Sequence, residues 1–256
     1  MAESKKRDAI NKIFDSCFKK NPNSNVLKFN NDQVKEVTGT EFSNQFDATK
    51  FDSSEKLPSR LEEEGYFIVH LGKGNHAFVK GDGFHKLEEI EDNVNWKLSK
   101  SSMDDISDSE AQSASTAFND KIIHDFLFDD KSKKILLHTA RRSKLSYDMV
   151  INGEKLQTNK LQIELDGVYE TEDTIATMEV KNLDNGEFEI RQLFSSMKYF
   201  EQLKEDDKID NKVIRLLFMV RERKRGNYYK LYEYEFINKD NPNSIKLIKC
   251  KRYNIT

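Results

Sequence analysis

The sequence predicts an α/β protein of the α+β kind: a central mixed β-sheet flanked by helices, preceded by a mainly helical N-terminal region. Three observations predict it. Apolar residues recur at helical spacing near the start, before the middle and again around residue 195. Period-two runs rich in β-branched and aromatic residues crowd the second half. A Ser- and Asp-rich stretch divides the two regimes.

Residues 6–19 place Ile10, Ile13, Phe14 and Phe18 on one helical stripe. A second helix over 32–37 ends at Gly39, and a third over 53–64 is closed by Gly65. The segment YFIVHLGKGNHAFVKG reads as two short strands around a Gly-Lys-Gly-Asn turn. Helices followed by a small hairpin loosely resemble a winged-helix module, and a helical specificity or dimerisation region is an equal alternative for residues 1–98. Residues 99–116 carry almost no apolar side chains and read as an acidic, Ser-rich linker, which sets a domain boundary there. Beyond it, a helix over 117–128 presents Phe118, Ile122, Ile123 and Phe126 on one side. Strands follow at 134–138, 160–168 and 174–181, then a helix at 189–204 and strands at 213–220, 228–236 and 244–253. This order gives a mixed sheet with helices packed on it, residues 117–256 forming one core.

Composition narrows the function classes. The 256 residues are 36% hydrophobic, enough for a sizeable core, and 34% charged with 3 prolines. No apolar run approaches the roughly 18 residues a membrane helix needs, and the start MAESKKRDAINKIF has no apolar stretch behind its bases. Cys17 and Cys250 lack metal-type spacing and read as two reduced thiols in a cytoplasmic protein. The net charge of −3 hides an asymmetry: residues 88–110 carry −6, and residues 212–231 carry +6. Segregated charge suits an anionic partner, although two solvated faces explain it as well.

The informative stretch is LQIELDGVYETEDTIATMEVKN, residues 161–182. Alternation puts Gln162, Glu164 and Asp166 on one face of the first strand, and Glu179 and Lys181 together on one face of the second. A turn centred between Glu172 and Asp173 sets Asp166 opposite Glu179 and Glu164 opposite Lys181. Cross-strand Cβ atoms lie roughly 5 Å apart, where like charges repel, so a hairpin gathering three carboxylates calls for a cation. Hard divalent ions such as Mg²⁺ take such oxygens. The bland alternative is a solvent-facing hairpin with a Glu164–Lys181 pair worth at most about 1 kcal/mol.

Asp166, then Glu179-Val180-Lys181, then the helical EIRQLFSSMKYFEQL resemble the catalytic half of PD-(D/E)XK nucleases, and within them type II restriction endonucleases. The likeness covers about residues 130–205, with Leu165 where the family commonly has Pro. It implies a restriction-endonuclease-like core in which Asp166, Glu179 and the Val180 carbonyl hold Mg²⁺. Lys181 would orient or help deprotonate the attacking water. Glu164 and Gln192 are accessory candidates, and Tyr199, seven residues beyond Gln192, is weighed with it.

The implied reaction is hydrolysis of DNA phosphodiesters to 5′-phosphate and 3′-hydroxyl ends, by a homodimer acting on a short specific site of double-stranded DNA. Alternatives are a repair or recombination nuclease without sequence preference, and a winged-helix-like DNA-binding regulator with an inactive nuclease-like domain. Candidate DNA contacts are Arg141 and Arg142 before the motif, and Arg221, Arg223, Lys224 and Arg225 in a basic, aromatic-rich hairpin. The five histidines show no metal-binding spacing, and Gly72, Gly74, Gly81 and Gly83 read as turn residues.

Overall fold

The computed structural model describes residues 4–42, 44–99 and 109–256; part of the expected linker and three of its acids, Asp104, Asp105 and Asp108, lie outside these. The chain begins with α1 (Lys5–Lys20), β1 (Val26–Asn30), α2 (Asn31–Thr38), α3 (Gln45–Thr49), a 3-10 turn at Ser54–Lys56, α4 (Ser59–Glu64) and the hairpin β2 (Tyr66–Gly72) and β3 (Asn75–Lys80). Ser4 caps α1 through its side chain, and Asn30 and Gln33 form a capping box on α2. The helix expected over 53–64 is broken, because Pro58 has no N–H to give and holds Leu57 extended. β1 was not anticipated. It pairs with β3 in a three-stranded antiparallel sheet of order β1-β3-β2.

There follow β4 (Phe84–Lys86), β5 (Asn93–Trp96), α5 (Glu110–Asn119), α6 (Ile122–Phe128), β6 (Leu137–Leu145), β7 (Asp148–Ile151), β8 (Glu154–Gln157), β9 (Leu161–Glu170) and β10 (Thr174–Lys181). The chain closes with β11 (Glu187–Glu189), α7 (Ile190–Glu205), β12 (Val213–Glu222), β13 (Tyr228–Phe236) and β14 (Ile245–Ile255). Seven strands form one mixed sheet, β5-β14-β13-β12-β10-β9-β6, in which β10–β12 and β14–β5 run parallel. The molecule is thus a mixed α/β protein with a large sheet between helices. α5 and α6 cover one face with Ala114, Ala117, Ile123 and Phe126 against Met178, Val180 and Leu217. α7 covers the other with Leu193, Phe194 and Met197.

Two expectations about organisation are corrected. The helix expected over 117–128 is two helices, separated where Lys121 takes a left-handed conformation, and residues 110–116 of the expected linker belong to the first of them. The expected boundary at 99–116 does not separate the two regions, because β5 already belongs to the large sheet. Nor is the N-terminal region an appended module: Phe14, Phe29, Phe78 and Leu61 share one continuous core with Leu165, Phe194 and Phe218. The β2–β3 turn is pressed onto the segment before β9, where the Asn159 N–H donates to the Leu71 carbonyl at 2.7 Å. Gly72 is required there, with φ of +88° and a hypothetical Cβ 2.2 Å from the Asn159 carbonyl oxygen. No helix among the described residues is long and apolar enough to cross a membrane.

Candidate functional site

The site is built on the β9–β10 hairpin. Its register follows the expected turn: Glu170 faces Ile175, and Gly167 faces Met178. Beyond that pair β9 departs from regular alternation. Against β6, Val168 faces Thr139 and Leu165 faces Arg141, so Asp166 and Gly167 together stand opposite Ala140. This extra residue is a β-bulge, a device that re-aims side chains. It puts Leu165 and Val168 in the same core cluster and Tyr169 in the opposite one. Gly167 fits because a Cβ there would lie 2.9 Å from the Tyr169 hydroxyl. The bulge turns the Asp166 carboxylate onto β10, where the backbone N–H of Val180 donates to Oδ2 at 2.9 Å.

Around this point the structure gathers Glu179, Lys181 and Gln192. The Lys181 ammonium donates to Glu179 Oε1 at 2.7 Å, to the Val180 carbonyl at 3.1 Å and to Glu110 Oε1 at 3.3 Å. Gln192, in the first turn of α7, donates its side-chain amide to the same Glu179 oxygen. Glu110 comes from the first turn of α5, which is fixed over the end of β10 by Ser113 donating to Asn182 Oδ1 at 2.7 Å. Lys181 is therefore shared by one carboxylate on the sheet and one on the helix packed over it.

Electrostatics here are lopsided. Glu179 is only 9% exposed. Burial pushes its carboxyl up to about 7; the pull of Lys181 opposes this, and repulsion from Asp166 and Glu110 adds to it. Asp166 is also raised, first by burial, against the opposing effects of the Val180 N–H and Lys181. Burial alone would lower Lys181, but Glu179, Glu110 and Asp166 overcome it and hold the ammonium more firmly charged than a free lysine. Three acids facing one cation leave negative charge unmatched.

Other expected residues lie elsewhere. Glu164 does not face Lys181; the bulge diverts it toward β6, where it pairs with Arg142 at 3.1 Å in solvent. Tyr199 is buried in the core cluster with Phe194 and Phe200, in a packing position. Arg221 is a correction. It is 5% exposed and donates to the carbonyls of Glu222 and Tyr228 and to Asn227 Oδ1, so it braces its own hairpin. Arg223 is half-buried and donates to Ser113 Oγ at 3.4 Å, while Lys224 and Arg225 are exposed at the tip. Arg141 is exposed on β6, beside Leu165.

Among the described residues no group of three or more His, Cys, Asp or Glu could hold a metal ion by itself. His70 and His76 do pair across β2 and β3, Nδ1 to Nδ1 at 2.9 Å. Burial lowers both, His76 to about 4, so the pair is neutral and structural near neutrality. Sequence reasoning missed Glu110 because it sits in a stretch whose composition reads as linker.

Fold and site define a mixed α/β protein whose bulged hairpin presents one buried and one half-buried carboxylate and a lysine at the end of parallel strands. The chain belongs to the family described as Domain of unknown function (DUF6997), which matches residues 79–254. A second family, Domain of unknown function (DUF6996), matches residues 7–78, so the two meet within β3. No curated protein and no solved structure matches the chain.

Proposed function

We propose that this protein is a Mg²⁺-dependent DNA endonuclease of the PD-(D/E)XK kind, with a restriction-endonuclease-like core and type II restriction as its activity. The observation that carries the reading is the convergence of Asp166, Glu179 and Lys181 on one bulged hairpin, with Glu179 held at about 7. Mutually repelling carboxylates, one buried and one half-buried, beside a backbone carbonyl form a hard-oxygen set that a small divalent cation would satisfy. The Lys181 ammonium, which donates to the Glu179 carboxylate and the Val180 carbonyl, is itself a cation among these oxygens and supports the reading.

Asp166, Glu179 and the Val180 carbonyl would hold the metal, with water and phosphate completing its shell. Bound there, Mg²⁺ supplies Lewis acidity to a phosphate oxygen and lowers the pKa of a water. The chain's own groups do the rest. Gln192 and the Val180 N–H each fix one carboxylate oxygen, which limits reorganisation as charge develops. Lys181 offers its ammonium to the attacking water or the scissile phosphate, and Glu110 keeps that ammonium charged and near the end of β10. α7 following the motif on the sheet supports the same likeness. A cytoplasmic homodimer cutting both strands of a symmetric site is part of the proposal.

A supercoiled plasmid incubated with Mg²⁺ tests it. Discrete fragments bear out site-specific cleavage, and smears indicate a nuclease without sequence preference. Retarded but intact DNA marks a DNA-binding regulator with an inactive core and overturns the enzymatic reading.

A further inference from the structure

The basic segment singled out by charge counting, residues 212–231, is largely spent inside the fold. Lys212 is held by Glu170 and the Thr171 carbonyl, Arg215 by Glu233, Arg221 by hairpin carbonyls and Lys230 by Asp184. A second segment shows the opposite character. Residues 131–145, KSKKILLHTARRSKL, hold six bases and no acid. They lead into and form β6, the last strand of the seven-stranded sheet, whose outer edge pairs with no other strand among the described residues.

Lys131, Lys134, Arg141, Arg142 and Lys144 are exposed. Among the described residues Lys134, Arg141 and Lys144 have no ion-pair partner, and the Arg142–Glu164 pair is solvent-screened, with the two side chains 77% and 53% exposed. Arg141 faces Leu165, one residue from Asp166, so the row of bases passes beside the carboxylates. The N-terminal unit offers no comparable surface by the winged-helix route. The helix before its hairpin carries Glu62, Glu63 and Glu64, with Arg60 held by Asp15, Glu63 and Glu64, and its turn is pressed onto Asn159.

We propose that the open edge formed by β6 and the basic segment leading into it is the track on which the backbone of double-stranded DNA lies, delivering a phosphodiester to Asp166 and Glu179. This rests on the nuclease reading above and adds where the substrate sits. Nine residues at about 3.3 Å each span roughly 30 Å, the length of about nine base pairs. Charge on an edge strand also discourages pairing with another sheet, which leaves the edge available to a polyanion.

The test is fluorescence anisotropy of a labelled DNA duplex with the full chain in EDTA, across a salt series. Replacing Lys134→Gln, Arg141→Gln and Lys144→Gln together removes three phosphate contacts, which makes the slope of log affinity against log salt shallower by about 2.7. Affinity at 0.15 M salt then falls about a hundredfold. Lys19→Gln with Lys20→Gln, at the far end of α1, leaves the slope unchanged. A wild-type slope in the β6 triple variant, with duplex still bound, overturns the track alone. Equal loss in the α1 variant overturns it too, as does preference for single-stranded RNA over the duplex. Failure of the wild-type chain to bind duplex at low salt removes the nuclease reading as well.

Discussion

Replacing Glu179 by glutamine separates what the site costs from what it does. In the metal-free protein the Glu179 carboxyl sits at about 7 against an ordinary 4.5, chiefly because burial disfavours its charge. An acid raised on folding binds its proton more tightly in the native state than in the unfolded chain. Its penalty is therefore absent below about pH 4.5, grows as pH rises toward 7 and is full above that. The difference corresponds to about 3 kcal/mol at pH 8. Glutamine removes the ionisation and can keep an oxygen where both Lys181 and Gln192 donate. The expected result in EDTA is a variant melting roughly 6–12 °C above wild type at pH 8, with the gap closing toward pH 4.5. With Mg²⁺ the order reverses in response: wild type gains thermal stability by binding the ion, and the variant gains little. Melting curves at several pH values, with and without Mg²⁺, decide it. A gap that ignores pH, or a variant less stable than wild type at pH 8 in EDTA, would refute the account of burial and crowding at this carboxylate.

Further expectations concern single residues. Asp166→Ala and Lys181→Ala each reduce plasmid cleavage by at least about a hundredfold while duplex binding persists, as a gel-shift assay run beside the digest would report. Gly72→Ala forces a Cβ against the Asn159 carbonyl at a positive φ and lowers stability by about 2 kcal/mol or more, read as a lower melting temperature. Arg221→Gln strands the carbonyls of Glu222 and Tyr228 and costs about 1.5–3 kcal/mol. It leaves the salt dependence of DNA binding as it was, whereas a direct phosphate contact at Arg221 would make that slope shallower.

How far the sequence could be read depends on the range of the forces involved. The β9–β10 register followed from local turn chemistry and alternation, and it holds from Glu170–Ile175 to Gly167–Met178. It stops at the bulge, because an extra residue in β9 is decided by its pairing with β6, roughly twenty-five residues earlier in the chain. That is why Asp166 was correctly grouped with Glu179 while Glu164 was not correctly grouped with Lys181. Glu110 was invisible for a different reason: Ser109 caps and Glu110 begins a helix whose surroundings resemble linker in composition alone. Charge counting misleads at Arg221 and Lys230 because net charge does not distinguish a cation facing solvent from one held inside the fold, as Arg221 is by its own hairpin's carbonyls and Lys230 by Asp184. Pro58, by contrast, was legible and should have split the third helix.

The continuity of the core across the point where the two family matches meet has a consequence for how this protein can be dismantled. Cutting between residues 78 and 79 would divide β3, part Val79 from Val26 and Phe67 across the sheet, and separate Phe14, Phe29 and Phe78 from Leu165, Phe194 and Phe218, baring apolar surface on both fragments. Neither fragment is thus a self-sufficient folding unit, and heat should melt the intact chain in one cooperative step. Any exchange of the first eighty residues between relatives would have to carry the matching floor beneath them.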